Sequence, residues 1–277
     1  MRTILLCLLG CWPAFALPGA EPHVFKPAGD KPLSLYVFSP ADHKASDTRP
    51  AILFFFGGGW DHGSPTQFVK QASYFAGRGM VAICPDYRTR QSHGATPFEC
   101  VADGKAAVRW VRVHAKELGV DPQRIAASGG SAGGHVAVST AVLSQLEEPG
   151  ADTSVSCVPN ALVLFNPVLD TTATGYGAKK LGTRCRDASP AHHVCAGLPP
   201  TIVFHGKADK TVPFENAQRF ADGMKKAGNA CTLFGYDGQG HGFYRKDPYY
   251  STVVREVDKF LVALGWLSGE TRKDTQK

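Results

Sequence analysis

Residues 125–134 read IAASGGSAGG. Small and apolar residues at 125–128 have the character of a buried strand, and an apolar helical pattern takes over from Gly133 to Leu146. Between them, Gly129, Ser131 and Gly133 form G-x-S-x-G, which in a strand-turn-helix setting marks a sharp, strained turn that lifts a serine hydroxyl above the strand ends. Side chains at 129 and 133 would collide with the neighbouring strand and helix, which accounts for the glycines. Ser131 enters the first helical turn, so the Ala132 N–H is placed to meet a developing oxyanion. Taken without its surroundings, the same pattern also describes a glycine-rich turn in any α/β protein.

Outward from this turn, short β-rich runs alternate with longer helical patterns. Strands are expected at 23–26, 33–38, 51–56, 80–84, 125–128, 161–165, 201–205 and 231–236. The runs AILFFF and ALVLF are apolar throughout, as strands covered on both faces must be. Helices are expected at 66–78, 99–118, 133–146, 214–227 and 252–264. This alternation predicts an α/β fold with a mostly parallel eight-stranded sheet and helices on both faces. The connection 166–200 spans 35 residues with little periodicity, a length that usually signals function or mobility.

The serine needs a base, and the base needs an acid to orient it. After TIVFH comes GKADKTVP, which places Asp209 beyond a strand end; after CTLFGY comes DGQGHGF, which places His241 beyond the next. Both therefore reach the sheet edge that carries Ser131, and the chain order Ser, Asp, His is that of α/β-hydrolases. Asp170, following ALVLF, is the second candidate acid. His205 lies within a strand, His192 and His193 in the long connection, and His135 on the serine helix. After AILFFF stand Gly57, Gly58 and Gly59, where amides can turn inward unobstructed, so Gly58 and Gly59 join Ala132 as oxyanion donors.

Together FFFGGGW (54–60), PDYR (85–88), DPQRIAASGGSAGGH (121–135), LPP (198–200), HGKADKTVP (205–213) and GHGF (240–243) resemble the α/β-hydrolase superfamily. The chain looks like a secreted bacterial member, similar to the feruloyl-esterase-like and carbohydrate-esterase group related to hormone-sensitive-lipase-type esterases. The resemblance implies a serine carboxylesterase removing acetyl or feruloyl groups, without cofactor or metal, from acylated polysaccharide or a small ester. Two other readings stand beside it: a prolyl-oligopeptidase-like peptidase, and a non-catalytic binding protein on a hydrolase scaffold. Phe56 departs from the resembled group, which has a histidine there that steadies the glycine loop. Trp60, Tyr87, Phe243 and Tyr244, near the catalytic loops in sequence, are expected to wall the acyl site.

Composition sets the remaining bounds. With 43% hydrophobic and 19% charged residues among 277, the chain is neither disordered nor fibrous. The N-terminus, with Arg2 before an apolar run and Ala14-Phe15-Ala16 after it, reads as a signal peptide over 1–16. A single domain over 17–277 is then expected in a periplasmic or secreted protein, with acylation at Cys11 as a lipoprotein the alternative. The formal net charge of +6 is unclustered, which does not point to nucleic acid, and no stable membrane partner is expected. Cys84, Cys100, Cys157, Cys185, Cys195 and Cys231 remain after the signal, with 15 possible pairings; Cys185 and Cys195 are the first to consider.

Overall fold

The computed structural model describes residues 17–269. The signal-peptide reading, Cys7 and Cys11 among it, and residues 270–277 lie outside the described residues. Eight strands form one sheet in the order β1-β2-β4-β3-β5-β6-β7-β8. They are β1 (Glu21–Lys26), β2 (Leu33–Phe38), β3 (Arg49–Phe55), β4 (Val81–Pro85), β5 (Val120–Gly130), β6 (Ala161–Phe165), β7 (Thr201–Gly206) and β8 (Cys231–Tyr236). β1/β2 and β2/β4 pair antiparallel, and every later pairing is parallel. The fold is that of an α/β-hydrolase.

The helices are α1 (Val69–Gly77), α2 (Arg90–His93), α3 (Pro97–Val113), α4 (Ala132–Val142), α5 (Ala178–Leu181), α6 (Phe214–Lys226) and α7 (Tyr249–Ala263). Successive side chains of a strand point to opposite faces, and β3 shows the result. Ala51, Leu53 and Phe55 belong to one buried cluster with Val108 of α3, Val136 of α4 and Phe220 of α6. Ile52 and Phe54 belong to the cluster on the other face, with Phe75 of α1 and Val257 of α7. The sheet is thus covered twice, and its parallel strands deliver their following loops to one edge.

Local departures from the sequence expectation have tertiary causes. α4 ends at Val142 rather than near Leu146, because the buried Lys105 ammonium takes the Leu143 carbonyl at 2.6 Å and Glu147 at 3.0 Å. β5 starts at Val120, five residues early, and pairs there with Arg49. The connection 166–200 is no loose loop. Asp170 is buried at its start and accepts hydrogen bonds from the Thr172 N–H and the hydroxyls of Thr172 and Thr174, besides pairing with Arg219 of α6 at 2.8 Å. Among the described residues, no helix is long and apolar enough to cross a membrane.

Candidate active site

Ser131 sits between β5 and α4 with φ 57° and ψ −122°, a left-handed conformation that non-glycine residues enter only where neighbours enforce it. The enforcement is visible in the flanking glycines. A Cβ on Gly129 would lie 2.4 Å from the Gly133 carbonyl oxygen, and one on Gly133 would lie 2.1 Å from the Phe55 carbonyl oxygen. The Ser131 N–H donates to the Phe165 carbonyl at 3.0 Å, and its carbonyl accepts from Val168 and His135. The turn is thereby fastened to β6 and α4.

The loops after β7 and β8 bring the partners. His241 Nε2 is 2.9 Å from Ser131 Oγ, and His241 Nδ1 is 2.7 Å from Asp209 Oδ2. Asp209 Oδ1 accepts the N–H groups of Thr211 and Val212, each at 2.9 Å, and His205 Nε2 lies 3.4 Å from Oδ2. Burial works to raise the Asp209 carboxyl, but bonds from His205, His241 and the Val212 N–H outweigh it and hold the group well below the usual carboxylate range. A permanently ionised Asp209 fixes a proton on His241 Nδ1 and leaves Nε2 to accept one from the serine.

Sequence reasoning missed Asn166. It follows β6 with φ 34°, and its Oδ1 accepts the Gly242 N–H at 3.0 Å, which steadies the residue next to His241. Its position just beyond a central strand, at the same edge as the triad, is the signal that was there to read. Asp170 serves the long connection rather than the triad. His135 is fully buried, with Nε2 2.7 Å from the Ala188 carbonyl; burial pushes its pKa down to about 4.

The glycine loop abuts the serine, since a Cβ on Gly57 would come within 3.2 Å of Ser131 Cβ. The Gly58 carbonyl accepts from Asp61 and His62 at 3.1 and 3.3 Å, closing a turn in which Gly58, Gly59 and Trp60 have φ of 139°, 64° and 63°. Among the described residues, no acceptor meets the N–H of Gly58, Gly59 or Ala132. These three N–H groups are thus unspent, Ala132 directly following Ser131 and the glycine loop meeting the serine through Gly57.

Three of the four residues of the expected aromatic wall, Trp60, Tyr87 and Tyr244, are buried instead, while Phe243 is half-buried. Tyr87 is 1% exposed, stacks on Phe56 at 4.0 Å and donates to the Phe56 carbonyl at 2.6 Å; it braces the glycine loop from beneath. Tyr244 is equally buried, stacked on Phe165 at 4.8 Å. Trp60 is buried against His135 and Tyr176, and Phe243 packs on Tyr236 and Tyr249. Rings of this size gain more from burial in a nearby core than from a solvated crevice. The half-buried Tyr176 was not anticipated, and its hydroxyl would be 2.7 Å from a Cβ on Gly59. The six cysteines from Cys84 to Cys231 are free thiols, Cys185 and Cys195 included. Among the described residues, no group of three or more His, Cys, Asp or Glu is placed to hold a metal.

Fold and site together define an α/β-hydrolase with a serine at the nucleophile turn. Comparison with known proteins narrows the class: residues 35–224 match the BD-FAE family, and the chain belongs to it. It is 29% identical over 238 residues to esterase LipC of Mycobacterium tuberculosis, covering 78% of this chain and 58% of that one. With the probable carboxylic ester hydrolase LipM of the same organism it shares 30% over 220 residues, 72% of this chain and 50% of that one. The chain thus spans little more than half the length of these curated relatives. Among solved structures, Thermogutta terrifontis esterase 2 phosphorylated by paraoxon is similar at 51% identity and a TM-score of 0.88, covering 92% of this chain and 98% of that one. The butyrate-bound form of that esterase aligns at 49% identity and a TM-score of 0.87, over 92% and 97% of the two chains.

Proposed function

We propose that the protein is a serine carboxylesterase that removes short acyl groups through an acyl-enzyme. The observation that carries this reading is the relay Asp209–His241–Ser131, with contacts of 2.7 and 2.9 Å; the unspent N–H groups of Gly58, Gly59 and Ala132 support it as oxyanion donors. Ser131 Oγ attacks the ester carbonyl carbon while His241 Nε2 takes the hydroxyl proton. The carbonyl oxygen gains negative charge and moves onto the three N–H groups. Asp209 stabilises the imidazolium through Nδ1–H. Collapse of the intermediate breaks the ester bond, and Nε2 returns the proton to the leaving alcohol. Water then repeats the sequence, releasing the acid and restoring Ser131.

A solved relative supports a short acyl group. Thermogutta terrifontis esterase 2 has been solved with butyrate and with propionate bound, which supports a small acyl pocket here. The export signal read from residues 1–16, with the resemblance to feruloyl and carbohydrate esterases, supports acetylated or feruloylated polysaccharide as the natural substrate outside the cytoplasm.

The test is a panel of acetyl, butyryl, octanoyl, feruloyl and aminoacyl model substrates, run beside acetylated and feruloylated polysaccharide. Short esters should be cleaved fastest, paraoxon should label Ser131, and Ser131→Ala should be folded and inactive. Full activity in Ser131→Ala refutes the mechanism. Preference for octanoyl refutes the short-acyl assignment, and cleavage of amides without esters makes the protein a peptidase.

A further inference from the structure

Three side chains grip the glycine loop. Tyr87 donates to the Phe56 carbonyl at 2.6 Å, Gln67 Oε1 accepts the Gly57 N–H at 2.6 Å, and Lys180 Nζ donates to the Gly59 carbonyl at 2.8 Å. Tyr87 and Gln67 act at the base of the loop, next to β3. Lys180 is the one of the three side chains that acts at its tip, where the Arg90 and Gln91 N–H groups also hold the Trp60 and Asp61 carbonyls at 3.0 and 2.9 Å; it comes from α5, inside the connection 166–200.

We propose that Lys180 is a positioning residue for the oxyanion donors, holding the turn of residues 58–62 that carries the Gly58 and Gly59 N–H groups; this rests on the serine-esterase reading above. Gly59 and Trp60 both have φ near 60°. For glycine this costs little, but for tryptophan the left-handed region is unfavourable. Rotating the peptide between them would return Trp60 to ordinary backbone and carry the Gly59 carbonyl away from its present direction. The ammonium opposes that rotation by holding the carbonyl. It is itself held by Asp61, whose other carboxylate oxygen takes Arg90 at 2.8 Å.

The contact is close on the side-chain side as well. A Cβ on Gly59 would lie 3.2 Å from Lys180 Nζ and 2.7 Å from the Tyr176 hydroxyl, so connection and glycine loop touch directly. The Gly59 N–H lies on the preceding peptide, whose carbonyl, that of Gly58, accepts the Asp61 N–H at 3.1 Å; Lys180 pairs with the Asp61 carboxylate and binds the Gly59 carbonyl, and so restrains that peptide as well as the next. Lys180 itself touches no reacting atom in this arrangement. Its influence passes through backbone donors that matter when charge has developed on the substrate oxygen.

Lys180→Met removes the donor and keeps the aliphatic stem. Rates are taken per active site titrated with paraoxon, so a misfolded fraction does not enter. The expected result is a kcat lower by roughly 10-fold with KM changed less than about twofold, part of the effect of deleting a donor outright. Binding of a trifluoromethyl ketone, whose serine adduct carries an oxyanion, should weaken by the same factor, and Lys180→Arg should restore most of both. Wild-type kcat in Lys180→Met, or a lower kcat with ketone affinity unchanged, overturns the proposal. Full activity of Ser131→Ala would instead remove the esterase reading beneath it.

Discussion

Acid should loosen the protein through His135, on the helix that follows Ser131. The ring is fully buried, its Nε2 is 2.7 Å from the Ala188 carbonyl, and its Nδ1 has no hydrogen-bond partner. Because a carbonyl only accepts, Nε2 carries the proton and the ring is neutral. Burial depresses its pKa from 6.5 to about 4. The unfolded chain therefore binds this proton between those values while the folded chain does not. Stability from the neutral ring is fully present above about pH 6.5 and is lost as pH falls toward 4. A gap of about 2.5 pH units corresponds to roughly 3 kcal/mol, a large share of the stability of an ordinary domain. Urea unfolding at pH 7, 5.5 and 4 measures it, with His135→Gln as the variant that can still donate to Ala188. The wild-type advantage over His135→Gln should shrink by about 3 kcal/mol across that range. Parallel pH dependences in the two proteins would refute the argument, as would an NMR titration of His135 with a midpoint near 6.5.

Three further outcomes follow from contacts at the site. Asp209→Asn removes the charge that orients His241, and kcat should fall by roughly 10⁴ with the fold intact; a loss below tenfold would mean that the two N–H bonds to Oδ1, rather than the charge, do the orienting. Gly58→Ala places a Cβ 1.9 Å from the His62 carbonyl oxygen, so the turn must open. Measured per titrated serine, kcat should drop about 10²-fold to 10³-fold, whereas a rise in KM alone would assign the loop to substrate binding. Asn166→Ala frees the Gly242 N–H and should cost about 1–2 kcal/mol of stability in urea together with a lower kcat; unchanged kinetics would separate Asn166 from the His241 loop.

How much of this was legible depends on how local the cause is. The strands could be read because burial on two faces writes continuous apolar runs, and Ser131, Asp209 and His241 because each stands in a short motif just past such a run. Where a helix stops was not legible when the stop is made by a distant group. Lys105, on α3, claims the carbonyl of Leu143, and nothing near residue 143 announces it. Trp60, Tyr87 and Tyr244 were read as an acyl wall on sequence proximity. Proximity cannot tell a ring facing the crevice from one facing the core, and Tyr87 turns inward to meet the Phe56 carbonyl and ring.

The connection 166–200 shows why lack of periodicity is weak evidence of looseness. Its bonds run to separate elements: Asp170 to α6 through Arg219, Ala188 to α4 through His135, and Lys180 to the glycine loop through the Gly59 carbonyl. Each is a polar contact between residues far apart in sequence, so none produces a repeating pattern. Two of the anchored partners, α4 and the glycine loop, carry the proposed oxyanion donors. A change within this connection therefore reaches the donors through His135 or Lys180 without altering any residue of the triad. The same connection also touches the triad's own loops, through Asn166 on the Gly242 N–H and Val168 on the Ser131 carbonyl, so only its outer contacts, Ala188 with His135 and Lys180 with Gly59, stand apart from the serine and histidine.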